Sequence, residues 1–491
     1  MDKVNSNTQK VVKGISSQTI VTLLLGVEGI LYFSVMSRLL SREDFGFFAA
    51  VTAITTVFSS FSDAGIGSAL IQQKEMSEDF KNTAFTLSVI IGGIVSLLLV
   101  AVSGLLAQLV VDSQLQIPLM IMAITIFFNG MVSVNFSWMR RYLHFLRAGI
   151  IMLVAHVISS IIAIIMAYEG YGYYSILGKV VISSCLTLII SYFYVQTSFS
   201  FCLKKSCASS ILNFGGWLTA SVILNNISSQ IDRLLMSRLL SVEALGAYNR
   251  PKEFVLQIGM RINGIFDTAL FPVLSGIQDQ KESLKNAFMR STYYLNLCSM
   301  GMALAFICNT DLIIRIFFGE DWLDLKILFQ IVSLSLIFNI NGRLGDCYLR
   351  SLGLVRQQFN LRAFELILSV AFIVIGFRFG LMGVAVGFLL ANIVVILIKV
   401  FYLSRKLDVS NHTTLQCLLS SWMYSLYFVP LIMCQHLFHA NTWIGNIVLL
   451  SVFVMLMALL FLAFPLLVGR RYKEEAFLTI NSFVKSKLHK V

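Results

Sequence analysis

Residues 36–46 read MSRLLSREDFG, and residues 236–246 read MSRLLSVEALG. Eight of the eleven positions agree at an offset of 200 residues. Each copy follows a long apolar stretch, Ile15 to about Arg38 in the first case and Ile211 to Met236 in the second. Counting apolar runs between the copies gives an even number of crossings, so both copies point the same way through a membrane. That is the pattern of a parallel repeat about an axis along the membrane normal, and two bundles rocking around a central site are a recurring transporter architecture.

The rest of the chain fits a membrane reading. Its 491 residues are 57% hydrophobic and only 13% charged, with a mean hydropathy of +0.82. A soluble chain carries about 25% charged residues, so this one lacks the charge to cover a soluble surface. No residue with a formal charge occurs over 82–111, 113–139 or 148–168, and each run is long enough for a helix across a hydrocarbon core of about 30 Å. The run from Val409 to Gly469 is uncharged too, and must turn back near His436–Trp443. The predicted spans are 15–38, 45–69, 83–110, 115–138, 148–168, 171–196, 211–236, 245–274, 287–309, 324–348, 360–379, 381–403, 414–436 and 443–468. The fold class is therefore an all-α integral membrane protein with about fourteen transmembrane helices. It has two six-helix lobes related by the parallel repeat, plus two C-terminal helices. The expected organisation is an N-terminal lobe over 1–200, a C-terminal lobe over 201–406, the added helices over 407–469 and a basic cytoplasmic tail over 470–491.

The net charge of +12 comes largely from loops. Lys3, Lys10, Lys13, Lys74, Lys81, Arg140, Arg141, Arg147, Lys204, Lys205, Arg405, Lys406, Arg470 and Arg471 fall on one side of this topology. Arg38, Arg42, Arg238, Arg315 and Arg378 fall on the other. The first side is the cytoplasm by the positive-inside bias, which places both termini there. Basic charge then reports membrane orientation and contact with lipid, and no nucleic acid is expected as a partner. Residues 1–13 are polar and no small-residue cleavage pattern follows, so no cleaved signal peptide is expected. The eight cysteines form no CxxC pair and sit mostly in apolar runs, where they read as small buried side chains. No loop is long enough for a soluble domain, and no GxxxxGK[ST] is present. ATP-driven transport and large catalytic domains on this chain are thereby excluded, and the expectation is a protein that is not an enzyme.

Several stretches resemble a known family. FSDAGIGSALIQQKE (61–75), the repeated MSRLLSxExxG, NFGGWLTASVILNNIS (213–228), FPVLSGIQD (271–279) and FGEDW (318–322) are similar to the Wzx-type polysaccharide flippases, within the multidrug/oligosaccharidyl-lipid/polysaccharide exporter superfamily. The resemblance runs over essentially the whole chain and is nearest to translocases of colanic-acid-like, O-antigen or capsule repeat units. It implies two six-helix lobes around a cavity. It also implies an undecaprenyl-pyrophosphate-linked oligosaccharide carried from the cytoplasmic to the outer leaflet of a bacterial inner membrane. Polysaccharide polymerase and chain-length machinery are the partners it suggests, besides membrane lipids. A multidrug/cation antiporter of the same superfamily is the alternative.

A pyrophosphate head needs cations at membrane depth. Arg233, Arg250, Lys252, Arg261 and Arg343 are placed there, and Arg grips pairs of phosphate oxygens bidentately. Arg250 and Arg261 are eleven residues apart, about three turns, and so share a helix face. Glu253 lies within pairing reach of Arg250. Glu28, alone in the first span, has three roles open to it: partner of an arginine in the seventh or eighth span, proton or sodium coupling site, or polar wall. Asp232 and Asp267 are candidate internal ion partners. Lys179 and Lys399 are assigned comparable places in the two lobes, and Lys399 is expected to reach the cytoplasmic surface. Asn225 and Asn226 are candidates for a sugar-lining wall, with hydrogen bonding between helices as the competing reading.

Overall fold

The computed structural model describes residues 2–63, 65–73, 76–110, 113–142, 144–194 and 200–425. The two predicted spans from 414 to 468 lie largely outside these residues, and the tail wholly so. Fifteen α-helices and no strand occur among the described residues. They are α1 (Asp2–Leu39), α2 (Arg42–Asp63), α3 (Ile66–Gln72), α4 (Glu78–Val110), α5 (Gln116–Arg141), α6 (Phe145–Tyr168), α7 (Tyr173–Tyr194), α8 (Lys205–Leu239), α9 (Val242–Gly276), α10 (Lys281–Cys308), α11 (Thr310–Phe317), α12 (Lys326–Ser351), α13 (Val355–Gly376), α14 (Gly380–Lys406) and α15 (Asn411–Ser425).

Large apolar side chains face outward all along these helices. Leu31, Leu97, Leu105, Ile117, Ile161, Ile367 and Ile375 are each more than half exposed. Small residues face inward, as with Ala49, Ala50, Val51 and Ala53 of α2, or Ala155 and Ala163 of α6. That inversion suits a lipid solvent, where association gains little from burying leucine and depends on close packing. Nine segments among the described residues are long and apolar enough to cross a membrane. One of them, Arg356–Lys406, is the hairpin α13–α14, turned at 377–379.

The helices pack as two groups. α1, α6, α7, α5 and α4 follow one another by contact, with α2 against α4, α5 and α7. α9, α10 and α14 surround α12, and α13 packs on α14 and α8. The groups meet where α2 packs along α9 and α8, and where α1 reaches α11. The end carrying Arg38, Arg42 and Phe318–Trp322 is here the outer end, and the end carrying Arg140 and Arg350 the inner end, following the charge bias of the sequence.

Four features depart from expectation. The predicted span 45–69 breaks at Gly65, whose φ of +67° is in the left-handed region that glycine tolerates best, and the chain resumes as the short α3. A cap over the outer end was not foreseen: α11 followed by a 3₁₀ segment, Glu320–Leu325. Lys179 and Lys399 are not equivalent. Lys179 lies six residues from the outer start of α7, whereas Lys399 lies seven residues from the inner end of α14. Nor does Lys399 reach a surface, being only 2% exposed.

Candidate functional site

The two repeat copies form the junctions α1–α2 and α8–α9, and the two junctions touch. A Cβ at Gly46 would fall on the backbone carbonyl of Val242, and a Cβ at Gly246 on that of Arg42. Arg42 and Val242 are themselves 200 residues apart, so each glycine faces the carbonyl of the opposite copy. Only glycine permits backbones to approach this closely.

Around the crossing, arginines tie the two groups together. Arg42 makes a forked pair with Asp324 (2.6 and 2.8 Å), donates to the Asp321 carbonyl and lies over the Trp322 ring. Arg38 donates to the carbonyls of Ile316 (2.6 Å) and Arg315 (3.1 Å). Trp322 returns a hydrogen bond from Nε1 to the Ser37 carbonyl at 3.2 Å. Arg250, on α9, points into the N-terminal group: it donates to the Phe33 carbonyl (2.9 Å) and to Ser37 Oγ, and its guanidinium lies 3.4 and 4.1 Å from the centres of the Phe33 and Phe45 rings.

Arg250 also leads into an ionic cluster at membrane depth. Glu253 sits 3.8 Å from both Arg250 and Arg233. Lys252 is paired with Asp232, which also accepts from Tyr248 at 3.1 Å, and the Lys252 ammonium lies 4.1 Å from the Phe388 ring centre. On the facing side, Glu28 accepts from Ser160 and pairs with Lys179 at 3.2 Å, while the Lys179 ammonium lies 3.4 Å from the Tyr32 ring centre. Tyr32 is within electrostatic reach of Arg250, Glu28 and Glu253 and so joins the two halves. Four cations (Lys179, Arg233, Arg250, Lys252) against three acids (Glu28, Asp232, Glu253) leave a net charge of +1. Two polar atoms here are buried without a hydrogen-bond partner, the Tyr32 hydroxyl and Arg233 Nε.

A second cluster occupies the inner half of the C-terminal group. Asp346 binds Arg362 and Lys399, and Glu365 bridges the same two cations at 3.1 and 3.2 Å. Two cations and two acids cancel. Arg343, one turn before Asp346, is exposed and adds a positive charge at this depth.

The sequence-predicted residues thus separate. Arg233, Arg250, Lys252, Asp232 and Glu253 come together. Glu28 joins them through Lys179 rather than through an arginine of α8 or α9, because those arginines are already held by Glu253 and by the Phe33 carbonyl. Asp232, a candidate internal ion partner, is paired with Lys252. Asn226 donates to Ser60 of α2 at 2.6 Å, a bond between helix groups, whereas Asn225 is half-buried. The side chains of Arg261 and Asp267 lie outside the described residues. Tyr32, Ser37, Phe33, Tyr248 and the pair Trp322–Asp324 were missed. FGEDW was singled out, but only as a resemblance. Among the described residues no group of three or more His, Cys, Asp or Glu side chains is arranged to hold a metal.

Residues 35–327, more than half of the chain, match the family described as polysaccharide biosynthesis protein. The chain belongs to that family. The chain is 25% identical over 437 residues to the lipopolysaccharide biosynthesis protein WzxC of Escherichia coli (strain K12), covering 87% of each chain. Its fold is similar to that of the lipid II flippase MurJ in an inward closed conformation (TM-score 0.70, 15% identity, 91% of this chain and 98% of the other). It is also similar to an inward-facing multidrug resistance transporter of the MATE family (TM-score 0.64, 13% identity, 81% and 98%). The chain is therefore a multi-pass membrane protein with a transporter fold, and the junction of its two repeat copies adjoins a cation-rich ionic cluster.

Proposed function

We propose that this chain is a flippase. It moves a polyprenyl-pyrophosphate-linked oligosaccharide repeat unit from the inner to the outer leaflet by alternating access, for surface polysaccharide assembly. The similarity to WzxC and the MurJ-like fold support the class. The observation that carries the reading is the cluster of Lys179, Arg233, Arg250 and Lys252, with its excess positive charge and its unpartnered Arg233 Nε and Tyr32 hydroxyl. Unsatisfied buried donors cost about 1–3 kcal/mol each, and a ligand oxygen would relieve them. A cationic drug would need the opposite sign, so the antiporter alternative is disfavoured.

In this reading the lobes are residues 1–200 and 201–406, fourteen helices span the membrane with both termini inside, and 407–469 with the tail 470–491 form an appendix. Arg343, exposed in the inner half, meets the pyrophosphate first, and Arg233 meets it deeper. Arg250 becomes available only when the outer crossing separates, because its guanidinium is otherwise taken up by Phe33 and Ser37. Arg261 and Lys252 complete the candidate cations. Glu28 with Lys179 is the candidate for proton or sodium coupling. No bond of the substrate is made or broken.

The test is a deletion strain assayed for surface glycan and for accumulated lipid-linked repeat units on the inner leaflet. Loss of display with accumulation inside is expected. Undiminished display with no second transporter present would refute the reading, and raised drug susceptibility with normal display would favour the antiporter.

A further inference from the structure

A polar slot of about 320 Å³ lies inside the N-terminal group, between α5, α6 and α7, and its His156 is within electrostatic reach of Lys179 and Glu28 of the ionic cluster. It is at the small end of ligand-pocket volumes, about 300–1,000 Å³. Six of its polar side chains are Asn129, Ser137, Arg140, Ser183, Ser184 and Thr187. None of the six side chains has a hydrogen-bond or ion-pair partner among the described residues. Four of them, Ser137, Ser183, Ser184 and Thr187, are only 4–9% exposed.

Serine and threonine elsewhere in the same helices behave differently. Ser159 donates back to the His156 carbonyl at 3.0 Å, Thr125 to that of Met122 at 2.6 Å, and Ser191 to that of Leu188 at 2.9 Å while accepting from Asn135. Back-bonding of this kind is the ordinary way for a helix to satisfy a hydroxyl. Buried polar groups are nearly always satisfied. Four adjacent hydroxyls that forgo a protein partner and border one cavity have the character of a binding surface. The slot also has apolar walls in Phe136 and Met152, His156 at mid-depth and Arg140 at the inner rim, one residue from the end of α5.

We infer that this slot is a sugar subsite: it takes one ring of the glycan, the hydroxyls bonding to Ser137, Ser183, Ser184 and Thr187, with an anionic group beside Arg140. The class of ligand follows from the lining. Hydroxyl and amide groups both donate and accept, as sugar hydroxyls require. Phe136 and Met152 suit the C–H face of a ring. A single guanidinium at the rim suits one phosphate or carboxylate and no more. The inference rests on the flippase reading and adds to it that glycan is recognised within the N-terminal group.

Two arms test it. In the first, Ser183→Cys in a background without accessible native thiols is labelled with a maleimide, and a hexose 1-phosphate is added as the probe. Protection by the hexose 1-phosphate, weaker protection by a methyl hexoside and none by inorganic phosphate are expected. Equal labelling in all cases overturns the subsite, and protection by phosphate alone assigns the slot to a headgroup-type anion and overturns it as well. In the second arm, Thr187→Val with Ser184→Ala and Ser137→Ala keeps the packing and removes three hydroxyls. Glycan display is expected to fall about tenfold at unchanged membrane abundance, with Thr187→Ser retaining function. Wild-type display in the triple variant, with display abolished in the deletion strain, defeats the subsite and leaves the flippase reading standing. Normal display in the deletion strain defeats the flippase reading, and the labelling arm still decides whether the slot binds sugar.

Discussion

Lys252 and Asp232 are buried together, 3% and 2% exposed. Removing one partner of such a pair leaves a charge without compensation, at a cost of about 3–5 kcal/mol, whereas replacing both is far cheaper. Asp232→Asn is therefore expected to lower the thermal midpoint of the detergent-solubilised protein sharply, and Asp232→Asn with Lys252→Met to restore most of it. A double variant as unstable as the single one would contradict the pairing. Arg250 makes a different prediction. Arg250→Ala removes bonds to Phe33 and Ser37 that cross between the helix groups, so thiol reagents applied from outside should reach the crossing more readily, and display should fall. Arg250→Lys is expected to rescue only partly, since an ammonium keeps the charge but lacks the planar fork. Only the local part of this was legible in the sequence. The spacing of Arg250 and Glu253 announces their contact. Phe33 and Ser37, more than 210 residues away, become partners through a tertiary crossing that no helical period encodes.

At the scale of elements, α8 and α9 are the instructive pair. Both have 35 residues, ample to cross a membrane. Their charged residues Asp232, Arg233, Arg250, Lys252 and Glu253 pair with one another and with α1, facing protein rather than lipid, and an intramembrane charge usually marks function. The start of α9 is nonetheless readable: Ser241 caps it by accepting from the Ala244 amide at 3.1 Å. The repeated motif pointed to matching junctions, and the structure adds that their glycines face each other's carbonyls. Gly46→Val is expected to wedge the crossing apart. Cysteines introduced along α2 near Gly46 should become more reactive from outside, and display should fall severalfold, with protein abundance measured alongside. An unchanged labelling pattern would mean that the crossing can yield without opening. The cap of α11 and the 3₁₀ segment was not legible, because eight residues of α-helix and six of 3₁₀ carry too short a pattern to be separated from the adjoining spans.

For the whole molecule, the proposed alternating-access cycle requires the contacts of α2 with α9 and of Arg42 with Asp324 to part each time. Tying them permanently should stop transport. Arg42→Cys with Asp324→Cys, joined by a short bifunctional thiol reagent, is expected to abolish display, and a cleavable reagent followed by reductant to restore it. Transport that continues with the link in place would place the moving surface elsewhere. The class of fold was legible because composition and repeat both act over hundreds of residues. The partition of its charges was not, because whether an arginine faces lipid, cavity or carbonyl depends on which helix lies opposite.

The outer junction closes largely through guanidinium groups bonded to main-chain oxygens: Arg38 to Arg315 and Ile316, Arg42 to Asp321, and Arg250 to Phe33. A backbone carbonyl takes up no proton in the physiological range. Acidification of the medium therefore leaves these bonds as they are. Substitution of the acceptor side chains leaves them as well, since the accepting atoms belong to the backbone. These bonds are thus insulated from drift in those acceptor positions, while the Arg42–Asp324 pair beside them depends on a carboxylate.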